Sequence, residues 1–588
     1  MRVVEFFAQA ASFRRVQSLA FACAILLALP SLNSPLLQDD VVHRVMLLDR
    51  TPDLHWGPFD LYDFIGAPGR TAQLLRERGF LPWFAADDLK LRFFRPLSSA
   101  VVAADAHIFG DRVWASKLHS LAWFLGILAA VGAVHRRFLS RASAGLATLI
   151  YAVAVGHTLP VGWIAARSGL LGGAFALLSF WLYVRERQDG WRPGRWLAVV
   201  AFGCGLLAGE IGLGALGLIA AWEIFGRGES TRRRIVALLP FVAVTLIYLV
   251  GYVAMGYGVR GTGGYIGLTD GVAGAAAAVR HFLILMGELS AATPSDAVGT
   301  ATATAQTFAA AWGLLMTVVV WAAFQLSRPH VDPRDALAMR WLPAAAAAAA
   351  VPGAFALVGG RVLTLALVPA SGVVAIVIVA GWSAIVDGRR PVRGRRFVIV
   401  TAIGLAAGHL VAAPLIRLAM ARQLTRVAVE QHDLAARVPV CAGVMVLAVA
   451  ADPTVATYVP ATLAFRNRGP DRLRVLSMAP RDHRIENVTA TGFDLVTLGG
   501  ARKRTIWEQL YGFRPMPTGT RVKLTSLNAQ VIEDQDGIPV RVRFDFGEPL
   551  ESGGLCFFQW RDGTIGPLAL PRIDEAVDLP HHPGPMGW

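Results

Sequence analysis

Long apolar runs separated by short arginine-rich gaps fill the first 420 residues. Runs near the length of a bilayer crossing, about 20 residues, fall at 18–37, 113–134, 143–160, 164–184, 235–257, 304–326, 341–358, 362–386 and 397–419. Each predicts a helix, because backbone in hydrocarbon has to satisfy its own hydrogen bonds. The first run follows Arg14 and Arg15 and ends in Pro30–Pro35 without a small-residue cleavage site, so it predicts a retained anchor. After residue 420 the pattern changes. Charge returns and β-branched residues alternate with polar ones. Val438–Ala450, Arg472–Ser477, Arg521–Leu527 and Val540–Phe546 predict strands, with turns at Asn467-Arg468-Gly469, Asp536-Gly537 and Asp562-Gly563.

The arginines set the expected orientation. Five gaps carry them: Arg136, Arg137 and Arg141; Arg185, Arg187, Arg192 and Arg195; Arg227 with Arg232–Arg234; Arg328, Arg334 and Arg340; and Arg389, Arg390, Arg393, Arg395 and Arg396. An excess of positive charge marks cytoplasmic loops, so all five gaps are expected inside. The stretch 196–226 then has to enter and return as two short helices broken near Gly209-Glu210-Ile211-Gly212, with Glu210 at the outward tip. Residues 258–303 become external, and the weakly apolar patch 279–293 is expected to be interfacial or re-entrant. The expected architecture is an α-helical polytopic membrane protein of about eleven segments, with a C-terminal mostly-β extracytoplasmic domain. Residues 1–420 form the membrane domain, with a large first external loop at 38–112. Residues 421–588 form the periplasmic domain, and the N-terminus is cytoplasmic.

Composition narrows the class. Hydrophobic residues make up 55 % of the 588 and charged residues 16 %, against an ordinary charged share of about 25 %. This excludes a soluble enzyme, a disordered chain and a disulfide scaffold. The net charge of +15 would suit a nucleic-acid partner. The basic residues cluster in the gaps between apolar runs, which argues for membrane lipid and no nucleic acid. Of 56 basic residues, 52 are arginine. With the alanine and glycine bias, this composition suggests a GC-rich bacterial genome, so the chain is expected in a bacterial inner membrane. Cys23 and Cys204 lie in apolar runs, while Cys441 and Cys556 lie in the external domain, where oxidation is permitted. Spacing leaves open whether the latter two are bridged.

Four segments carry candidate chemistry, and the expected topology puts all of them on the outer face. Gln38-Asp39-Asp40-Val41-Val42-His43 presents two adjacent carboxylates where the first run meets the outer surface. One of them can take a proton from a hydroxyl, or the pair can hold a divalent cation; the plain alternative is a helix cap. Lys90 to Ser99 presents Arg95 among aromatics, as a phosphate fork or as interfacial snorkelling with Lys90 and Arg92. His157 to Arg167 forms an outer turn, with Arg167 at a helix mouth where it needs a carboxylate or a phosphate. Glu210 is an ionisable residue inside an apolar segment, with Arg167 or Arg95 as its expected partner.

Together these elements resemble the polytopic glycosyltransferases of the GT-C fold, near the protein O-mannosyltransferase and TMTC-like branch. The resemblance covers roughly residues 15–260. It rests on the acidic pair Asp39-Asp40, the large first loop, the segment Phe94-Arg95-Pro96-Leu97-Ser98, and echoes at Trp163–Leu171 and Leu206–Glu210. A family lysine is replaced by Gly209, the acidic residue expected after the arginine is lost near Ser168-Gly169, and Thr158 stands where a proline is usual. The resemblance implies an inverting transfer of a sugar from a polyprenyl-phosphate donor to an extracytoplasmic protein or glycan acceptor. It implies Asp39 or Asp40 as the base, Glu210 as an orienting carboxylate, and Arg95, Arg167 and Arg260 on the leaving phosphate, with His157 beside them. It implies no fixed metal, and a divalent cation on the acidic pair stays open. Two rival readings are a transporter or flippase of a lipid-linked or anionic substrate, which lacks a second broken segment here, and a non-catalytic scaffold of the same fold.

Overall fold

A backbone that must bury its own polar groups in lipid forms helices. The computed structural model describes residues 13–585 except 51–53, 268–269, 387–393, 442, 501–505 and 513, so Arg389, Arg390 and Arg393 lie outside the described residues. Among the described residues, eight helices are long and apolar enough to cross a membrane: Arg14–Leu32, Val113–Phe138, Ile164–Asp189, Thr231–Ala254, Gly271–Ala291, Ala303–Leu326, Leu367–Val386 and Arg395–Arg437. Arg141–Val153 with Val155–Gly162 makes a ninth if the pair, bent by 50°, is one span.

The count differs from the eleven expected for three reasons. The 196–226 stretch does break at Gly209, but into Pro193–Ala208, a 3-10 turn at Glu210–Leu213 and a helix at Gly214–Ala221, all short of a full crossing. The 341–358 run forms only Leu342–Phe355 at helical pitch. The patch expected to be interfacial, 279–293, belongs instead to the 21-residue helix Gly271–Ala291. Small residues explain the correction. Gly287 and Gly313 let this helix meet Ala303–Leu326 so closely that a Cβ on Gly313 would fall 2.0 Å from the Leu283 carbonyl oxygen. Membrane helices associate through such small-residue contacts, which score weakly as hydropathy.

The chain divides into two compact units. The first comprises Met1–Ser34, Phe94–Met255 and Leu268–Leu424, and holds the apolar helices together with the short helix Pro96–Phe109. Its core includes an aromatic cluster of Phe138, Phe180, Trp222 and Trp341. The second comprises Pro35–Phe93, Gly256–Gly267 and Thr425–Trp588.

Three sheets build the second unit. Strands β1 (Asp63–Ile65), β2 (Lys90–Arg92) and β3 (Gly258–Arg260) form a small antiparallel sheet from two distant parts of the sequence. Strand β4 (Val444–Val449) is buried along its whole length and pairs in parallel with β5 (Arg472–Ser477) and β11 (Leu555–Arg561), with β12 (Thr564–Pro567) on the outer side of β11. Strands β6 (His483–Glu486), β7 (Gly492–Thr497), β8 (Arg521–Leu524), β9 (Leu527–Gln535), β10 (Ile538–Asp545) and β13 (Val577–Leu579) form a six-stranded sheet in the order β13-β6-β7-β10-β9-β8.

Turn chemistry fixes the hairpins. Asp536 and Gly537 both have positive φ, 55° and 75°, between β9 and β10, and Asp562 and Gly563 repeat this at 50° and 74° between β11 and β12. Two-residue loops of this handedness match the twist of the flanking strands. Cys441 and Cys556 are joined in a disulfide that closes a sequence separation of 115. The segment before β2 is part of the same unit. The Trp83 indole N–H donates to the Leu476 carbonyl at 2.9 Å, and Arg474 donates to the carbonyls of Arg76 and Glu77 at 3.1 and 3.0 Å.

Candidate active site

The residues singled out in the sequence fall into separate groups, and an acidic turn in the second unit is the most constrained of them. Asp39 and Asp40 open the helix Asp39–Leu47. Carboxylates in a first helical turn meet the positive end of the helix dipole. The preceding residue, Gln38, has φ 45° and ψ −111°. A side-chain-bearing residue there is strained and persists only when its surroundings over-determine it.

Four hydrogen bonds do so. His432 Nε2 donates to the Leu36 carbonyl at 3.0 Å, and the Asp40 carboxylate accepts the Leu37 N–H at 3.2 Å. The Gln38 N–H donates to Gln431 Oε1 at 3.1 Å, and the Tyr458 hydroxyl donates to Asp39 Oδ1 at 3.1 Å. The two aspartates therefore differ. Asp40 is buried and folds the turn, whereas Asp39 is half-buried and receives the phenol. Burial, then the Asp39 charge, holds the Tyr458 hydroxyl well above its ordinary pKa, so it stays a donor. His43 of the same helix packs its ring against Tyr62 and Phe64, at 5.0 and 5.8 Å between centroids.

Elsewhere in this unit, Arg92 makes two 2.9 Å bonds to the buried Asp63 and lies over the Tyr257 ring. Arg260 sits on β3, exposed, in a 3.3 Å ion pair with the equally exposed Asp88. Such a pair opens at little cost.

Arg95, Glu210, Arg167 and His157 belong to the first unit. Arg95 precedes the helix Pro96–Phe109, whose proline at the first position fixes its start. Its Nε and Nη2 both reach Glu210 Oε2 at 2.8 Å, and Nη1 donates to Ser168 Oγ at 3.4 Å. The Tyr252 hydroxyl donates to the other Glu210 oxygen at 3.4 Å. The break that carries Glu210 needs glycine: a Cβ on Gly212 would fall 2.5 Å from the Gly205 carbonyl carbon. Both side chains stay partly open, Arg95 at 21 % and Glu210 at 26 % exposure. Of the two partners expected for Glu210, the structure has Arg95.

Of the two partners expected for Arg167, a carboxylate or a phosphate, the structure has a carboxylate, and His157 is buried. Arg167 is fully buried and spends its guanidinium on Ser120 Oγ at 2.8 Å, on the Ser116 carbonyl and on the Asp105 carboxylate. Asp105 also accepts from His119 Nδ1 at 2.8 Å, and the Trp123 indole N–H donates to His119 Nε2 at 3.0 Å, which fixes that tautomer. A guanidinium among apolar helices is cheaper closed on a carboxylate than left open for a ligand. His157 is fully buried between Tyr151 and Phe124, at 4.5 and 4.7 Å.

Sequence reasoning missed Asp105, although a lone carboxylate in the apolar run 97–109 was a signal. It also missed Tyr458, Gln431 and His432, which carry no local signature. Among the described residues, no group of three or more His, Cys, Asp and Glu is placed to hold a metal ion. The two turn carboxylates each accept a protein hydrogen bond. No step is drawn through a metal.

No family model matches the chain, and no curated protein matches it. Solved structures similar to it include the oligosaccharyltransferase of Archaeoglobus fulgidus in three forms. One is in complex with an inhibitory peptide and a dolichol-phosphate, at 13 % identity and TM-score 0.39. A second is tethered through a disulfide to an acceptor peptide containing the NVT sequon, at 13 % and 0.37. Each similarity covers 77 % of this chain and 64 % of the other. A third, with Zn and sulfate, has 12 % identity and TM-score 0.40, over 77 % and 62 %. The chain thus spans less than two thirds of the length of those proteins.

Proposed function

We propose that the chain is a membrane glycosyltransferase of the GT-C kind. It would move a sugar from a polyprenyl-phosphate donor to a hydroxyl of a protein or glycan acceptor, in a single inverting displacement. Support comes above all from the acidic turn: a half-buried carboxylate, Asp39, held in one direction by a strained residue and a phenol. A general base has to be aimed before it is basic, and the turn aims it.

In this reading Asp39 takes the proton of the acceptor hydroxyl. The oxygen attacks the anomeric carbon, and the bond from that carbon to the phosphate oxygen breaks. Negative charge gathers on the leaving polyprenyl phosphate, and a fixed guanidinium stabilises that charge selectively in the transition state. The resemblance assigns this role to Arg95, which Glu210 holds within the first unit. Arg260 serves as an outlying cation. Arg167 and His157 are assigned to packing, and Asp40 to folding the turn.

The test is transfer of labelled sugar from a polyprenyl-phosphate donor by purified protein in liposomes. A carboxylate base contributes about 10²–10⁴-fold, so Asp39→Asn is expected to lose that much at unchanged abundance and melting temperature. Transfer by Asp39→Asn at the wild-type rate removes the assignment.

A further inference from the structure

The bond between Tyr458 and Asp39 joins residues 419 positions apart in sequence. Tyr458 ends a π-helical turn, Thr454–Tyr458, that opens the helix Val459–Phe465. Single π-turns are frequent at functional sites. The turn is anchored at its start by Asp452, whose Oδ1 accepts the Thr454 N–H at 2.8 Å. It is anchored at its end by Thr462, whose hydroxyl donates to the Tyr458 carbonyl at 2.7 Å. Thr462 in turn accepts from Gln431 Nε2 at 2.9 Å, and the Oε1 of the same Gln431 amide accepts the N–H of the strained Gln38. One short relay thus grips both the backbone and the carboxylate of the acidic turn.

We infer that Tyr458 is a positioning residue for Asp39: its hydroxyl fixes the rotamer of the carboxylate and keeps it ready to take a proton, so that the C-terminal segment takes part in the proton-transfer step. This rests on the reading of Asp39 as the base. A phenol donating to a carboxylate favours the ionised form. Among the described residues, the titratable groups around the turn include Asp40 beside Asp39 on the same helix, Tyr511 and Tyr265 near Tyr458, and His432, which bonds the Leu36 carbonyl and meets Arg466 on its other ring nitrogen. Removing the Tyr458 hydroxyl leaves all of these in place.

The experiment compares the pH dependence of kcat/KM for the wild type, Tyr458→Phe and Tyr511→Phe in the liposome assay, with Asp39→Asn as reference. Tyr458→Phe keeps the ring and its packing. It is expected to lower kcat about tenfold, leave the donor KM unchanged, and move the acid limb of the profile upward by about one pH unit, the tenfold equivalent. Tyr511→Phe removes a hydroxyl bonded to Thr457 rather than to Asp39, and is expected to leave the limb in place. Thr462→Val, which cuts the bond to the Tyr458 carbonyl, moves the limb in the same direction and serves if the phenylalanine variant does not fold. An unshifted limb and wild-type kcat in Tyr458→Phe, beside an inactive Asp39→Asn, overturn this inference alone. Equal shifts in Tyr458→Phe and Tyr511→Phe overturn it as a general packing effect. Wild-type transfer by Asp39→Asn overturns the underlying reading, and the inference with it.

Discussion

Asp105→Asn separates the two roles open to Arg167. In the folded chain Arg167 has no solvent exposure, and Asp105 is the only carboxylate on its guanidinium among the described residues. The asparagine keeps the shape of Asp105 and removes its charge, leaving a buried cation without a counter-charge. Removing one member of a buried ion pair costs ~3–5 kcal/mol. A shift of about 2–4 °C per kcal/mol holds for domains of 150–250 residues and shrinks for larger ones, so a fall of about 5–10 °C in Tm is expected. The double variant Asp105→Asn with Arg167→Met removes both charges and is expected to recover most of the loss, since apolar replacement of a buried pair is often neutral or better. The assay is thermal melting in detergent, with donor-dependent transfer measured in parallel on the folded fraction. The packing role fails if Asp105→Asn melts like the wild type while Arg167→Met loses transfer, for Arg167 would then be serving a ligand.

Two further predictions follow from the geometry. Arg95→Gln removes a charged fork while Glu210 and Ser168 remain. It is expected to lower kcat by about 10²–10³-fold with the acid limb of the pH profile unmoved, which separates it from Tyr458→Phe in the same assay. Reducing the Cys441–Cys556 bridge, or replacing Cys441 with Ser, releases a 115-residue separation. It is expected to destabilise the second unit by ~4–5 kcal/mol, read as a lower melting midpoint with and without reductant.

Elements governed by local chemistry were legible in the sequence. Arg472–Ser477 forms a strand at the bounds its alternation suggested, and the Asp-Gly pairs at 536–537 and 562–563 make the hairpins that positive φ demands. Glu210 was legible as an ionisable residue at a glycine-broken tip, and its arginine was one of the two named. What was not legible depends on partners far along the chain. Hydropathy undercounted the alanine and glycine packing of Gly271–Ala291 and overcounted runs whose helices stop short. Arg167 was legible as a residue that needs a carboxylate or a phosphate, but Asp105, 62 positions away, is silent in a pattern read run by run. The difference between Asp39 and Asp40 was also hidden. It arises from Tyr458 and from the fold of the turn, and two adjacent letters are equivalent until those contacts exist.

The central claim is that the carboxylate of Asp39 accepts the proton in a sugar transfer. The most direct measurement is single-turnover transfer from a polyprenyl-phosphate sugar in liposomes, comparing wild type with Asp39→Asn at matched melting temperature. The account predicts a measurable rate for the wild type and a rate lower by about 10²–10⁴-fold for the variant. Equal rates for the two proteins, or no transfer by the wild type across the donors and acceptors of this class, contradict it.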